Sequence, residues 1–155
     1  MRITVAAVGR LGKGAGRPEA DLWKIYAERL NWPITLKEVT AKGKPPARDL
    51  PRLEARALRD AIPKGATTIA LDAAGRVVDS RAFADRLARW RDDGARDLAF
   101  LIGGAEGLEA ALLKEADLVL SLGAMTWPHL LVRGMLAEQL YRAQSIIDGH
   151  PYHRE

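Results

Sequence analysis

Side chains able to move protons or bind anions are concentrated at the end of the chain, which closes with GHPYHRE. Tyr152, His153 and Arg154 are consecutive there, and Arg142 lies in the helix-like segment before them. Histidine titrates near neutral pH, and arginine carries a permanent positive charge that suits anionic groups. A solvated chain end would have a similar composition. The residues alone therefore leave both a catalytic edge and a solvated end open.

His129 and Arg133 form a second candidate pair, since residues four apart on a helix share a face. A single histidine at the start of a helix is more often a structural hydrogen-bonding residue than a base. The three histidines show no metal-ligand spacing, and the absence of cysteine removes thiolate zinc sites, disulfides and a cysteine nucleophile. We therefore expect no metal site.

Glycine-rich turns follow several short apolar runs in the sequence. The segment IGGAEGL follows the buried run LAFLI, and glycine there would let a ligand approach the backbone. Open α/β sheets bind ligands at the carboxyl ends of their strands, where this turn would lie. A tight strand-to-helix turn explains the same residues equally well.

The glycines near the N-terminus, between an apparent strand and helix, suggest a nucleotide site of another kind. With Glu38 at the end of the next strand, they resemble a dinucleotide-binding fingerprint with an acidic ribose anchor. The spacing lacks the third glycine that lets helix and strand pack closely, and no P-loop signature follows. A flexible basic loop is the better interpretation, with Arg10, Lys13 and Arg17 available to contact phosphate.

Composition places the chain among ordinary globular proteins, with 48% hydrophobic and 28% charged residues in 155. No apolar run approaches the ~20 residues that span a bilayer, and the start lacks a signal-peptide cleavage pattern. We therefore expect a cytoplasmic protein. The net charge of +4 permits a nucleic-acid partner but does not require one.

Strands and helices alternate along the whole sequence, which predicts an α/β fold with a mostly parallel sheet flanked by helices, in one domain over residues 1–155. A turn is expected at the sequence DAAG, directly after the third strand. The predicted strands cover residues 3–8, 34–39, 67–71, 98–102 and 118–122, and helices are expected to begin near Pro18, Leu53, Ser80, Leu108 and Pro128.

The last predicted helix has a wider apolar arc than one face of a sheet can cover. Such a helix is either central to the core or shared with another subunit, so we expect a homodimer. Its apolar residues are Leu130, Leu131, Met135, Leu136, Leu140, Ala143, Ile146 and Ile147.

Four segments of the sequence, GGAEGL, LSLGAMTWPHLLVR, EQLYRA and GHPYHRE, together resemble the RlmH family of SPOUT-class methyltransferases. Members of that family methylate N3 of a pseudouridine in bacterial 23S rRNA. The resemblance extends to the start, ITVAAVG, and to the central run TTIALD. One departure is Gly123, where many members carry serine.

The resemblance implies a C-terminal trefoil knot, a homodimer and S-adenosyl-L-methionine as the methyl donor. It places the donor against Leu71, Gly103 and the segment Leu122, Gly123, Ala124, Met125, Thr126 and Trp127. It also implies methylation on the assembled ribosome.

On this interpretation the tail contributes the catalytic groups, folding over the donor bound to the partner subunit. His153 would be the base, Arg154 and Arg142 would contact imidate or phosphate, Tyr152 would contact the target base, and His129 would order the donor loop. Basic residues of two loops would contact rRNA: Arg10, Lys13, Arg17, Lys42, Lys44 and Arg48. The alternative is a non-catalytic RNA-binding or ribosome-binding module on the same scaffold.

Overall fold

The computed structural model describes residues 1–12 and 17–154, and within these ranges five strands form one parallel sheet. The order across the sheet is β2-β1-β4-β3-β5. The prediction of an α/β fold with a mostly parallel sheet is confirmed. The strands are β1 (Arg2–Val8), β2 (Ile34–Val39), β3 (Thr67–Val77), β4 (Asp97–Ile102) and β5 (Leu118–Ser121), and the helices are α1 (Pro18–Ala27), α2 (Leu50–Ala61), α3 (Ser80–Asp92), α4 (Ala110–Glu115) and α5 (His129–Ile147).

Strand β1 is covered on both faces because its side chains alternate between two apolar clusters. Ile3, Val5 and Ala7 pack with helices α1, α3 and α5 on one face of the sheet, whereas Ala6 and Val8 pack with α2 and α4 on the other. The result is three layers, helix–sheet–helix, with all five strands pointing the same way.

Helix α5 lies at the centre of the first helical layer, in contact with both α1 and α3. Leu136, Leu140 and Ala143 are buried against the sheet, which agrees with the wide apolar arc seen in the sequence. The helix ends as predicted near Gly149, whose φ of +67° is readily adopted only by glycine.

Strand β3 is longer than the sequence indicated, so the predicted boundary at Leu71 is wrong. Leu71 and Arg76 both lie opposite Leu120 of β5, and residues 72–75 between them bulge out of the ladder. The Asp72 carboxylate accepts a hydrogen bond from the Ala74 N–H at 2.8 Å, which holds the local turn. The turn signal in DAAG was real, but the strand resumes after it because β5 continues to pair.

Helix boundaries follow local capping chemistry. Asp79 caps α3, because its carboxylate accepts a hydrogen bond from the Ala82 N–H at 2.7 Å. Pro18 occupies the first turn of α1, where the missing N–H costs nothing. Helix α2 begins at Leu50, earlier than the predicted start at Leu53, because Pro51 fits its first turn in the same way.

Candidate methyl-donor cleft and C-terminal tail

A cleft of about 220 Å³ lies between the bulge of β3 and the carboxyl ends of β4 and β5. Its walls are the start of the β3 bulge, the turn after β4, the turn after β5 and the first residues of α5. Seven of the eight residues predicted to contact the methyl donor line it, and Ala124 does not. The seven are Leu71, Gly103, Leu122, Gly123, Met125, Thr126 and Trp127.

The turn after β4, residues 103–107, presents main chain to this cleft. The Gly107 N–H donates to the Gly104 carbonyl at 3.1 Å, and a Cβ added at Gly103 would lie 2.7 Å from the Gly107 carbonyl carbon. Only glycine fits such a close approach of two backbone segments. The glycines of IGGAEGL therefore serve both as a tight turn and as a wall of the cleft.

The turn after β5 is held by a side chain that the sequence analysis did not single out. The Ser121 hydroxyl donates to the Gly123 carbonyl at 2.9 Å and accepts from the Gly123 N–H at 3.2 Å. Gly123 has φ +126°, a conformation that L residues rarely adopt. Ser121 thus supplies a hydroxyl to this turn, two residues before Gly123.

Arg133 is fully buried beneath the cleft, on the same face of α5 as His129, as the spacing predicted. Its guanidinium donates to Glu38 at 2.8 Å and to the carbonyls of Val8 and Gly9 at 2.5 and 3.1 Å. Glu38 also accepts from the Leu11 N–H at 2.5 Å. Glu38 therefore anchors the chain after β1 rather than standing free as a ribose ligand.

The His129 imidazole lines the cleft floor close to Gly9 and to the Arg133 guanidinium. A Cβ added at Gly9 would lie 3.4 Å from His129 Nε2 and 3.6 Å from Arg133 Nη2. Burial, and then the positive charge of Arg133, lower the pKa of His129 below its usual 6.5. His129 is consequently neutral at pH 7.

A larger cleft, of about 550 Å³, lies between α1, α5 and the segment that joins β3 to α3. It shares Leu120, Leu122 and Gly123 with the first cleft. Tyr26 of α1 and Glu138 of α5 line it. The turn after β5 thus separates two adjoining cavities.

The C-terminal tail docks beside this larger cleft through Tyr152. The Tyr152 hydroxyl donates its proton to Glu138 at 3.0 Å and forms a second hydrogen bond, of 3.3 Å, with the Tyr26 hydroxyl. Glu138 also accepts from Arg142, whose guanidinium carbon lies 4.9 Å from the Tyr152 ring centroid. Burial, followed by these hydrogen bonds, strongly raises the pKa of Tyr152, so the phenol stays protonated at neutral pH.

The two tail residues beyond Tyr152 are less constrained. His153 Nδ1 lies 3.5 Å from Arg142 Nη1, and Arg154 is exposed. Of the four predicted catalytic residues, Arg142 and Tyr152 are therefore anchored at Glu138, His153 is half-buried beside Arg142, and Arg154 is exposed. Glu155 and Lys13 lie outside the described residues.

Comparison with known proteins places the chain in a family. A family model described as "Predicted SPOUT methyltransferase" matches residues 1–153. The chain belongs to this SPOUT family. A protein named "Ribosomal RNA large subunit methyltransferase H" from Rhodospirillum centenum is 54% identical over 99% of both chains. Its namesake in Paramagnetospirillum magneticum is 52% identical with the same coverage, and that in Rhizorhabdus wittichii is 46% identical over all of this chain and 99% of its own.

Solved structures support the fold at much lower identity. A probable methylase family protein from Haemophilus influenzae superposes with a TM-score of 0.60 at 13% identity, over 99% of this chain and 70% of that one. A putative methylase family protein from Neisseria gonorrhoeae gives 0.54 at 13% identity, over 99% and 85%. At this low identity, the two similarities support the fold and nothing further.

In this single SPOUT chain the tail and the smaller cleft do not meet. None of the four predicted catalytic residues lines that cleft among the described residues, and the tail lies instead against Glu138 and Tyr26. Sequence reasoning missed Tyr26, because folding alone brings it to Tyr152, 126 positions away. It also missed Ser121, although the partner of Ser121 is Gly123, only two positions away. Within the described ranges, no helix is long and apolar enough to cross a membrane, and no group of three potential ligands is placed to hold a metal ion.

Proposed function

We propose that the protein transfers a methyl group from S-adenosyl-L-methionine to N3 of a pseudouridine in 23S rRNA, acting as a homodimer on the assembled ribosome in the cytoplasm. The observation that carries the proposal is a cleft, in a SPOUT chain, that is bounded by the β3 bulge and the turns after β4 and β5. The relatives named as large-subunit rRNA methyltransferases, matched over nearly their full length, support the substrate class.

The residues lining the smaller cleft suit a positively charged nucleoside donor. Among the described lining residues there is no lysine or arginine, and the titratable groups are Asp72 and the neutral His129. A sulfonium cation is favoured near a carboxylate such as Asp72, and the charge of the buried Arg133 beneath the cleft is paired with Glu38. Leu71, Gly103 and residues 122–127 would hold the donor, largely through main-chain groups that can meet an adenine edge and ribose hydroxyls.

S-adenosylmethionine supplies an electrophilic methyl on sulfur. The pseudouridine N3 is an imide nitrogen that must lose its proton, after which an N3–C bond forms as the S–C bond breaks. We assign proton removal to His153 and stabilisation of the imidate to Arg154, with Arg142 contributing positive charge. Tyr152, protonated and anchored, would contact the target base and fix the path of the tail.

The position of the tail favours a site shared between two chains. Because the tail lies outside the smaller cleft of its own chain, a partner subunit must bring the catalytic groups to each donor. Apolar side chains left exposed near the clefts support such an interface: Val77 is 66% exposed, Met125 72% and Trp127 39%. Sedimentation equilibrium should give twice the mass of the 17.0 kDa chain; a monomer at every concentration would contradict the dimer.

Removal of residues 151–155 tests the role of the tail. We expect methyl transfer to be lost while donor affinity stays within a few-fold, because the tail does not line the smaller cleft. Radiolabelled transfer and calorimetric titration measure the two quantities. Full activity of the truncated protein would rule the tail out.

The substrate is tested with ribosomes that lack the modification. Radiolabelled methyl transfer followed by nucleoside mapping should place the label on N3 of a pseudouridine. Intact ribosomes should be methylated faster than naked 23S rRNA if the basic surface loops recognise the folded particle. Equal rates on both substrates would contradict recognition of the assembled particle.

A non-catalytic ribosome-binding module is the alternative, since its basic loops would be the same. The intact cleft favours the enzyme, because a module that only binds RNA needs no donor site. Titration with S-adenosylmethionine separates the two, and absence of binding would leave only the module.

A further inference from the structure

A buried carboxyl group behind the methyl-donor cleft has no partner. Glu54, in the second turn of α2, is 7% exposed, and its Oε2 is fully enclosed without a hydrogen bond. Among the described residues, Arg133 Nε is the only other buried side-chain atom in this state, and the remaining nitrogens of Arg133 make three hydrogen bonds. Each unpaired buried polar group is costly and calls for an explanation.

The Glu54 carboxyl packs directly against the glycine turn that forms one wall of the cleft. A Cβ added at Gly104 would lie 3.2 Å from Glu54 Oε2, 3.4 Å from Oε1 and 3.0 Å from Val8 Cγ1. Gly104 also lines the cleft, so the backbone of the turn lies between the Glu54 carboxyl and the cleft. The position of this wall is therefore set from behind by Glu54 and Val8.

The charges around Glu54 favour its neutral form. Burial, and then the negative charge of Glu106 in the same glycine turn, raise the pKa of Glu54. Val8 of β1 and Gly104 of the turn, which pack against the carboxyl, carry no charge. No lysine or arginine of the described chain pairs with it, so nothing within these ranges offsets the cost of ionisation.

We propose that Glu54 is a positioning residue for methyl-donor binding: as a neutral acid it supports the turn of residues 103–107, and its ionisation displaces that wall and weakens donor binding. This inference rests on the proposed function, because it concerns the affinity for S-adenosylmethionine. It assigns to α2 a role in the donor site although α2 contributes no residue to the cleft.

The test compares S-adenosylmethionine affinity, measured by calorimetry from about pH 4.5, the ordinary carboxyl pKa, up to about pH 9. Glu54→Gln is the neutral isostere, Glu54→Ala removes the support, and Glu28→Gln, an exposed carboxylate just beyond α1, is the matched control. We expect E54Q to match the wild type at low pH and to bind increasingly more tightly than the wild type above the carboxyl pKa, by up to about tenfold per pH unit. E54A should bind more weakly at every pH, and E28Q should follow the wild type.

Two results would overturn the proposal. Equal affinity of wild type and E54Q at every pH would show that ionisation of Glu54 has no effect. An E54Q protein as weak as E54A throughout would show that a charged carboxylate is required. Comparison with E54Q cancels the titration of His129 and of the donor's own amino group.

A measurement without ligand separates this inference from the proposed function. A folded-state pKa above the unfolded value means that the contribution of Glu54 to stability is present below the unfolded pKa and is lost as pH rises through the folded one. The melting temperature of E54Q should therefore gain on that of the wild type with rising pH, and a difference independent of pH would overturn the inference. If E54Q shows this gain in melting temperature over the wild type, but the wild type binds no S-adenosylmethionine, the result would instead contradict the proposed function.

Discussion

At the scale of single residues, Arg133 is a buried cation with a structural role. It is the largest fully buried side chain of the described chain, and burial lowers its pKa while Glu38 counteracts that effect. Through Glu38 and the carbonyls of Val8 and Gly9 it joins α5 to the ends of β1 and β2. The smaller cleft thus lies above a buried arginine whose charge is paired with Glu38.

Replacing Arg133 with methionine should destabilise the fold by about 3–5 kcal/mol, because Glu38 and two carbonyls lose their donor. Denaturant unfolding monitored by tryptophan fluorescence measures the loss. Arg29→Met is the control, since Arg29 is exposed and only lies over tyrosine rings. A loss below about 1 kcal/mol, the value of a surface ion pair, would contradict the structural role.

His129 should titrate below pH 6.5 in an NMR experiment, because burial and Arg133 disfavour its charged form. Its folded pKa lies below the unfolded one, so its contribution to stability is present at neutral pH and is lost as the pH falls through 6.5 and below. His129→Gln should flatten this dependence. An unchanged slope in the variant would assign the acid sensitivity to other groups.

The sequence predicted the shared face of His129 and Arg133 but not the partners of Arg133. Helical spacing relates residues four apart, whereas Glu38 lies 95 positions away and reaches Arg133 only through the parallel sheet. The cleft turns were found because a strand followed by glycine is a local pattern. Tyr26 was not found as the anchor of Tyr152, since that contact joins residues 126 positions apart.

At the scale of elements, the packing of α1 on α5 depends on a glycine within the helix. Gly134 lies opposite Leu22, and a Cβ there would lie 2.6 Å from Leu22 Cδ2 and 2.7 Å from Cγ. Alanine has the higher helix propensity, so glycine at this position reflects close packing of the two helices.

Gly134→Ala should therefore destabilise the protein by about 1–3 kcal/mol despite better propensity, because the added methyl overpacks the contact. Leu22→Ala in the same chain should recover part of the loss, giving a coupling of about 0.5–3 kcal/mol in a double-mutant cycle. Additive effects of the two changes would place the strain elsewhere.

The bounds of a strand were predicted correctly where they depend on the local sequence alone, and wrongly where they depend on pairing with another strand. The bounds of β2, Ile34–Val39, were predicted to the residue because alternation and flanking prolines are local. The extent of β3 was not, since its second half is a strand only by pairing with β5. The trefoil knot stays a prediction, as strand order does not define how a chain is threaded.

At the scale of the whole molecule, Glu138 links the tail to the body. Its carboxylate accepts from Tyr152, Arg142 and Gln139, and it lines the larger cleft. If the tail acts on the donor held by a partner subunit, this contact sets the starting point of its path. A small shift there would displace His153 from its substrate.

Glu138→Ala should lower the rate of methyl transfer on the order of tenfold to a hundredfold by misplacing the tail. Donor affinity should stay near that of the wild type, because Glu138 does not line the smaller cleft. Transfer assays on ribosomes and calorimetry measure the two, with Glu28→Ala, an exposed carboxylate that pairs with Lys24, as control. Equal losses in both variants would contradict a specific role of Glu138 in the position of the tail.

Strand β1 lies between β2 and β4, and its residue Arg2 is opposite Asp97. One side of this strand can pair early in synthesis, but the other must wait for nearly a hundred further residues. The layer over it is completed only by α5, which contains Leu136 and Leu140 of the core. A nascent chain therefore exposes a half-paired strand and apolar surface until α5 has been synthesised and can pack on the sheet.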